Sequence, residues 1–153
     1  MRVEIYQGDR TGLMPLFRLA EDSDSELTGY LGRGEVLVAR ERGGIIGHVQ
    51  IVAGDEDDVR ELKSMAVRQA HQRRGVGRVL VDAASDYCRR QGVRRLTVAT
   101  AAADIGNLRF YQRQGFRLLR IERDAFGPSN GYRQDAQIDG IPLRDRVVLD
   151  IEL

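Results

Sequence analysis

Cysteine and histidine are scarce in this chain, and their scarcity excludes several kinds of site. Cys88 is the only cysteine among 153 residues, so no disulfide can form within the chain. His48 and His71 are the only histidines, and with one thiol they do not make a metal-ligand set, so we expect no metal. No apolar run reaches the length of a membrane span, and residues 1–10 lack the apolar segment of a signal peptide. We therefore expect a cytoplasmic protein that makes no membrane contact.

Lysine is also nearly absent. Lys63 is the only lysine, and the other 23 basic residues are arginines, yet the net charge is only +1. Arginine-rich segments at 72–78 and 88–95 would suit phosphate or RNA recognition. RNA binding needs a basic face, however, and arginines that are scattered along a nearly neutral chain favour ordinary surface residues. We expect no nucleic acid partner.

The apolar pattern predicts one α+β domain over residues 1–153. Predicted strands cover 2–6, 35–40, 45–53, 59–67, 94–100, 116–124 and 144–152. Predicted helices run from Thr11 to about Ala20, from Ser23 or Ser25 to Leu31, over 76–91 and over 105–114. Between the last two strands, residues 126–140 are rich in Gly, Pro, Asn and Asp and predict a long loop.

The segment QRRGVG at residues 72–77 lies between a predicted strand and a predicted helix. Free N–H groups at a helix start attract anions, and Gly75 and Gly77 would let the backbone come close to a ligand. Arg73, Arg74 and Arg78 add charge for a phosphate. The segment fits neither G-x-x-x-x-G-K-[ST] nor G-x-G-x-x-G, so it is neither a P-loop nor a dinucleotide fingerprint.

The spacing Gln72-x-x-Gly75-x-Gly77 resembles the pyrophosphate-binding Q/R-x-x-G-x-G/A motif of the GNAT N-acetyltransferase superfamily. The preceding segment ELKSMAV resembles the fourth strand of that family, and GNLRFYQRQGF (106–116) resembles its second signature. The order of elements agrees over the whole chain, so the sequence is similar to small bacterial members. The resemblance implies a mixed, mostly antiparallel sheet of about seven strands with about four helices, in which the fourth and fifth strands splay apart.

The resemblance also implies acetyl-CoA as the cosubstrate. Backbone amides of residues 73–78 would hold the diphosphate, and N–H groups near Met65 and Val67, freed by a bulge, would bind the acetyl and pantetheine oxygens. The residues assigned to the cosubstrate are Met65, Ala66, Val67, Gln72, Arg73, Arg74, Gly75, Val76, Gly77, Arg78, Asn107 and Tyr111.

Two protons must move in such a transfer. By the resemblance, Tyr111 is the general acid that protonates the leaving thiolate. Asn107 lies four residues earlier on the same helical face and binds the cosubstrate, or caps the helix, or does both. Glu61 is our first candidate for the base that deprotonates the amine, although an ion pair with Lys63 would weaken it. His48 is a rival base, and a structural role is open for both residues.

In this superfamily the acceptor site is built from the first two helices and the loop before the last strand, here 21–34 and 126–140. We assign Tyr30, Tyr132 and Asp135 to the acceptor. Acidic residues in both segments would suit a cationic small-molecule amine. The alternatives are acetylation of a protein N-terminus or lysine, and a sensor that binds acyl-CoA without turnover. A homodimer is compatible with the resemblance and does not follow from the residues.

Overall fold

Apolar strands build a seven-stranded central sheet in the computed structural model, which describes residues 1–153. In chain order the strands are β1 (Arg2–Ile5), β2 (Glu35–Glu41), β3 (Gly44–Ala53), β4 (Val59–Val67), β5 (Arg95–Ala101), β6 (Arg117–Glu122), β7 (Gln137–Ile138), β8 (Ile141–Pro142) and β9 (Arg146–Glu152). Strands β7 and β8 form a separate hairpin.

The order of strands across the sheet is β1-β2-β3-β4-β5-β9-β6. All neighbours are antiparallel except β4 and β5, which run parallel. The predicted fold class, a mixed and mostly antiparallel sheet of seven strands with four helices, is confirmed. The outer strand β6 leaves Leu118, Leu119 and Ile121 exposed at the sheet edge.

Helices cover both faces of the sheet because each presents one apolar side. They are α1 (Met14–Ala20), α2 (Asp24–Tyr30), α3 (Val76–Arg90) and α4 (Ile105–Arg113). Leu80, Ala84 and Cys88 of α3 recur at helical spacing and lie in the larger core, while Phe17 of α1 and Leu27 of α2 lie in a second core. None of the four helices is both long and apolar enough to cross a bilayer.

Local hydrogen bonds correct one sequence prediction and decide between the two alternatives of another. The first helix is not capped by Thr11: the Asp9 side chain accepts from the Thr11 N–H and starts a 3-10 turn, Arg10–Leu13, which leads into α1. Ser23 caps α2 by accepting from the Glu26 N–H at 3.2 Å. The predicted loop at 126–140 contains a 3-10 turn, Pro128–Asn130, and the β7–β8 hairpin continues it to Pro142.

Two irregularities of β4 open the middle of the sheet. Opposite β3, Gln50 pairs with Ser64 and Ile51 pairs with Leu62, so Lys63 is an extra residue in a β-bulge. On its other side, β4 pairs with β5 only as far as Leu62 and Val98. The last five residues of β4 therefore face an opening between the two parallel strands, which is the splay that the family resemblance implied.

Candidate active site

A cleft of about 1300 Å³ occupies the opening between β4 and β5. Most of the residues that were predicted to act in binding or catalysis line it, although they come from distant parts of the sequence. Its walls are residues 61–67 of β4, 98–101 of β5, the loop 71–78, the inner side of α4, residues 19–22, Tyr30 and parts of segment 126–146. No group of three or more histidine, cysteine, aspartate or glutamate residues is placed to hold a metal ion.

One end of the cleft is the loop between β4 and α3. Gly75 starts the helix with a φ of 82°, and Arg73 is also left-handed with a φ of 63°. These two reversals turn the backbone amides outward, and none of the six N–H groups from Arg73 to Arg78 has an acceptor within the chain. The α3 dipole adds partial positive charge at the same point. The loop therefore presents a row of free donors that suits a diphosphate.

The motif side chains also shape this loop internally. Gln72 Nε2 donates to the Val67 carbonyl oxygen at 3.0 Å and ties the loop to the end of β4. A Cβ at Gly77 would lie 3.2 Å from Cζ of Phe110, so this glycine allows α3 to pack against α4. At Gly75 a Cβ would meet nothing, and the left-handed backbone is the constraint. Within the chain, Gly75 therefore serves a turn and Gly77 a helix contact, while close approach of a ligand to either glycine stays a prediction.

The three arginines of the loop do not act alike. Arg73 and Arg78 line the cleft. The Arg74 guanidinium instead lies 3.4 Å from the Glu41 carboxylate and 3.0 Å from His71 Nδ1, outside the lining. The prediction that the Arg74 side chain meets a phosphate is therefore not supported, because a nearer carboxylate engages it.

The β4 backbone supplies a second set of donors. The Arg68 N–H donates to the Ile46 oxygen in β3, and successive N–H groups of a strand point to opposite sides. Hence the Met65 and Val67 N–H groups point away from β3, toward the cleft. By the same alternation the Ala66 N–H faces β3, so Ala66 lines the cleft without offering its amide there.

Tyr111 and Asn107 face the cleft from α4. The Tyr111 ring packs against Phe110 and Phe116, and its hydroxyl makes no hydrogen bond within the chain. Burial, with a smaller effect of the Asp104 carboxylate, raises the pKa of Tyr111 above its ordinary value, so the phenol keeps its proton. It is a neutral donor at the splay.

Asn107 is fixed by contacts at the start of α4. Its Nδ2 donates to Thr100 Oγ1 on β5 at 3.2 Å, while its own N–H donates to Asp104 Oδ1 at 2.9 Å. Asp104, not Asn107, is therefore the helix cap. With the cap assigned elsewhere, the amide oxygen of Asn107 stays free to accept a hydrogen bond in the cleft.

The other end of the cleft centres on Glu21. Its carboxylate accepts from the Tyr132 hydroxyl at 2.5 Å and from the Tyr30 hydroxyl at 3.3 Å. Burial, together with this carboxylate, raises the pKa of both phenols, so they remain donors at neutral pH. Glu21 is thus a negative charge held in place by two tyrosines that both line the cleft.

The segment 126–140 is anchored across this end. The Ser23 hydroxyl donates to the Asn130 carbonyl oxygen at 2.7 Å, and Asn130 Nδ2 donates to Glu26 at 3.2 Å. Gly131 lies so close that a Cβ there would be 2.4 Å from Ser23 Oγ. These contacts place the segment against the start of α2, and its residues Phe126, Tyr132 and Ile138 line this end of the cleft.

Glu61 and Lys63 both line the cleft from β4 without forming an ion pair within 4.0 Å. The Lys63 ammonium instead lies 5.0 Å from the centre of the Tyr30 ring. Glu61 keeps the position that the sequence prediction requires of a base near the splay.

Two residues that were predicted to act in the site, His48 and Asp135, lie outside the cleft. His48 is fully buried, stacks on Phe17 and contacts Ser64 Oγ through Nε2 at 2.8 Å. Burial lowers its pKa to about 3, and it does not line the cleft, so a role as base is not supported. Asp135 is exposed, pairs with Arg133 at 3.2 Å and is also outside the lining. A role in acceptor binding is not supported for Asp135 either.

Sequence reasoning missed two features of the site. Glu21 was one of several acidic residues in 21–34, and only the tertiary contacts of Tyr30 and Tyr132 distinguish it. Phe110, which packs against Gly77, looked like an ordinary apolar residue of α4. The distance of 111 residues between Tyr132 and Glu21 left no local signal for their contact.

Comparison with known proteins identifies relatives of this fold. A family model described as Acetyltransferase (GNAT) family matches residues 5–116. The uncharacterized N-acetyltransferase YvbK of Bacillus subtilis is 29% identical over 153 residues, which are 100% of this chain and 97% of that protein. A GNAT family acetyltransferase from Elizabethkingia anophelis, solved with acetyl-CoA bound, superposes with a TM-score of 0.90 at 25% identity, covering 99% and 97% of the two chains.

A further relative has a named acceptor. The [ribosomal protein bS18]-alanine N-acetyltransferase of Escherichia coli is 30% identical over 86 residues, which are 56% of this chain and 57% of that enzyme. This match is partial. An alignment of 86 residues is too short to include both Glu21 and Tyr132, which lie 111 residues apart.

Proposed function

Because the chain belongs to the acetyltransferase (GNAT) family, we propose that it transfers an acetyl group from acetyl-CoA to the primary amine of a small molecule. The acetyl-CoA-dependent N-acetyltransferase activity is that of the family and of the relatives. The small-molecule acceptor is our inference. The observation that carries it is the anchored segment 126–140, which walls the acceptor end beside Glu21.

Three groups of residues bind different parts of acetyl-CoA. The free N–H groups of 73–78 hold the diphosphate, with Arg73 and Arg78 adding charge. The N–H groups of Met65 and Val67 point to the splay, where they orient the thioester and bind its carbonyl oxygen as negative charge develops. The amide oxygen of Asn107 accepts from the pantetheine arm.

Proton transfer completes the reaction. The amine nitrogen forms the new C–N bond, and the C–S bond breaks as the sulfur leaves with its electron pair. Glu61 accepts the amine proton, directly or through water, and Tyr111 donates a proton to the leaving sulfur. Burial keeps the Tyr111 phenol protonated but also makes it a weaker acid, so it suits this role through its position in the cleft rather than through its acidity. The presence of both groups in one cleft favours turnover over an acyl-CoA sensor.

Glu21 supports a cationic acceptor. A carboxylate that is held by two phenols needs little reorganisation to bind an ammonium group, and Glu61 adds a second negative charge to the same cleft. The alternative acceptor, a protein N-terminus or lysine, is supported by the name of the partial bS18 relative. Such an acceptor needs an open groove, and the contacts of Ser23 and Glu26 with Asn130 oppose one.

A panel assay tests the proposal. Free-thiol release from acetyl-CoA is measured with small primary amines and with peptides that carry a free N-terminus or an internal lysine. We expect turnover with small amines and little with peptides. Turnover with peptides alone would overturn the small-molecule acceptor, and thermal stabilisation by coenzyme A without any turnover would favour the sensor.

A homodimer stays a prediction. The edge strand β6 supports it, because Leu118, Leu119 and Ile121 are exposed there beside unpaired backbone groups. Sedimentation of the wild-type chain beside Ile121→Lys gives the test: a single monomeric species in both samples argues against the dimer.

A further inference from the structure

The only lysine of the chain projects into the candidate active site. Lys63 is the extra residue of the β4 bulge and lines the cleft. Its ammonium makes no hydrogen bond and has no carboxylate within 4.0 Å, although Glu21 and Glu61 line the same cleft. Its partner is the face of the Tyr30 ring, at 5.0 Å from the centre. The cleft therefore contains a positive charge, the Lys63 ammonium, that no carboxylate of the chain pairs with.

Tyr30 separates this cation from the anion of the acceptor end. The Tyr30 hydroxyl donates to Glu21, while the face of its ring lies beside the Lys63 ammonium. The two charges therefore flank one side chain and are more than 4.0 Å apart. A small molecule that enters between β4 and residues 19–22 meets a positive group and a negative group on the same path.

The Lys63 ammonium is half-buried and unpaired, so binding of an anion beside it would be favourable. Partial burial removes water from the charge, and the ring face replaces only part of the lost hydration. The free amides of the loop at 73–78 already form an anion site of their own at the other end of the cleft. Lys63 lies instead beside Tyr30, on the acceptor side of the splay. Its missing anion is best supplied by the acceptor.

We propose that the acceptor is an amino acid or a close analogue, which carries a carboxylate and a primary amine in one small molecule. Lys63 binds the carboxylate, and Glu21 attracts the ammonium group before it is deprotonated. This proposal rests on the proposed function, since it names the class of small molecule. A polyamine without a carboxylate would instead place a further positive charge near Lys63, which is unfavourable.

Matched acceptor pairs test this assignment. L-lysine is compared with cadaverine, and L-phenylalanine with phenethylamine, because the members of each pair differ only by the carboxylate. The kcat/KM ratio within each pair is measured for the wild type, Lys63→Met and Lys63→Arg. The control is Arg90→Met, which removes a charge from an exposed residue of α3 outside the cleft. Coenzyme A affinity and the melting temperature verify that each variant is folded.

We expect the wild type to favour at least one amino acid over its amine by tenfold or more. Lys63→Met should lower that ratio at least tenfold, Lys63→Arg should keep most of it, and Arg90→Met should leave it unchanged. Equal loss with both members of a pair, together with weaker coenzyme A binding, would show that Lys63 binds an anion of the cosubstrate and would overturn the proposal.

Two further results separate this proposal from the one on which it rests. Good turnover of amines that lack a carboxylate, with amino acids no better, overturns the amino acid acceptor and leaves the small-molecule function intact. Turnover with peptides alone overturns both.

Discussion

The Tyr132 hydroxyl donates a hydrogen bond to Glu21 at 2.5 Å, and so joins the segment before the last strand to the turn between α1 and α2. The Tyr30 hydroxyl donates to the other oxygen of the same carboxylate. This arrangement makes one negative charge a fixed part of the cleft wall. The proposed acceptor, a charged amine, depends on this feature.

Glu21→Gln should weaken acceptor binding. The substitution keeps the shape and removes the charge, and a hydrogen bond to a charged group is worth about 1.5–3 kcal/mol. We expect KM for the amine to rise by about tenfold or more, with KM for acetyl-CoA little changed. Steady-state kinetics with each substrate varied in turn measures this. Asp86→Asn, which removes an exposed charge on α3, is the control, and an unchanged amine KM in Glu21→Gln would remove Glu21 from the acceptor site.

Tyr111→Phe should lower kcat by about 100-fold, because general acid catalysis contributes about that much. The ring contacts with Phe110 and Phe116 are retained, so KM for acetyl-CoA should stay close to that of the wild type. The matched control is Tyr87→Phe on α3, whose side chain packs against the core and lies outside the cleft lining. Wild-type kcat in Tyr111→Phe would exclude this phenol as the acid.

The protonation state of Tyr111 leads to a prediction for the pH dependence of kcat/KM. Burial raises the pKa of the phenol above its ordinary value, so the donor stays protonated at every pH below about 10. Any rise of kcat/KM with pH below that value must therefore come from groups other than this phenol. If Glu61 is the base, Glu61→Gln should lower kcat/KM and flatten that rise. A pH–rate profile that keeps the wild-type shape in Glu61→Gln would instead point to water.

Gly75→Val should weaken coenzyme A binding by at least tenfold. Gly75 has a φ of 82°, and a β-branched residue tolerates the left-handed region poorly, so the free amides of the loop would turn out of position. Gly75→Asn is the matched variant, since asparagine accepts this conformation more readily, and its loss should be smaller. Calorimetric titration with coenzyme A measures both, and equal affinity in Gly75→Val would contradict the amide site.

His48 should make the fold sensitive to acid. Burial lowers its pKa to about 3 from 6.5, so the unfolded chain binds a proton in this range that the folded chain does not. Its contribution to stability is complete above pH 6.5 and is lost as the pH falls toward 3, by about 1.4 kcal/mol per pH unit. Compared with His48→Gln, the wild type should lose more unfolding free energy between pH 7 and pH 5 in urea titrations. Parallel losses in the two proteins would contradict this.

Local patterns predicted the parts of the site that lie on one continuous stretch of chain. The loop at 72–77 contains a left-handed turn at Gly75 and a close contact between helices at Gly77. Both features favour glycine, so the spacing of the two glycines indicates them in the sequence. The cap of α2 at Ser23 is local in the same sense. The β4 bulge was available only through the family resemblance, because nothing in ELKSMAV marks Lys63 as the extra residue.

Side-chain directions across long sequence distances were not predictable. Arg74 looked equivalent to Arg73 until the fold placed Glu41 beside it, and Asp135 looked equivalent to other acids of its loop until Arg133 paired with it. Glu21 gained its importance from tyrosines 9 and 111 residues away. The acidic residues of segments 21–34 and 126–140 could therefore indicate a negatively charged site. They could not indicate which carboxylate faces the cleft.

A competition in one vessel tests the central claim most directly. Equal concentrations of a small primary amine that the panel identifies and of a peptide with a free N-terminus are incubated with the enzyme and limiting acetyl-CoA, and the acetylated products are counted by mass. We predict that the small molecule receives nearly all of the acetyl groups, because segment 126–140 is anchored at Ser23 and Glu21 beside the cleft. Acetylation that goes mainly to the peptide would contradict the account.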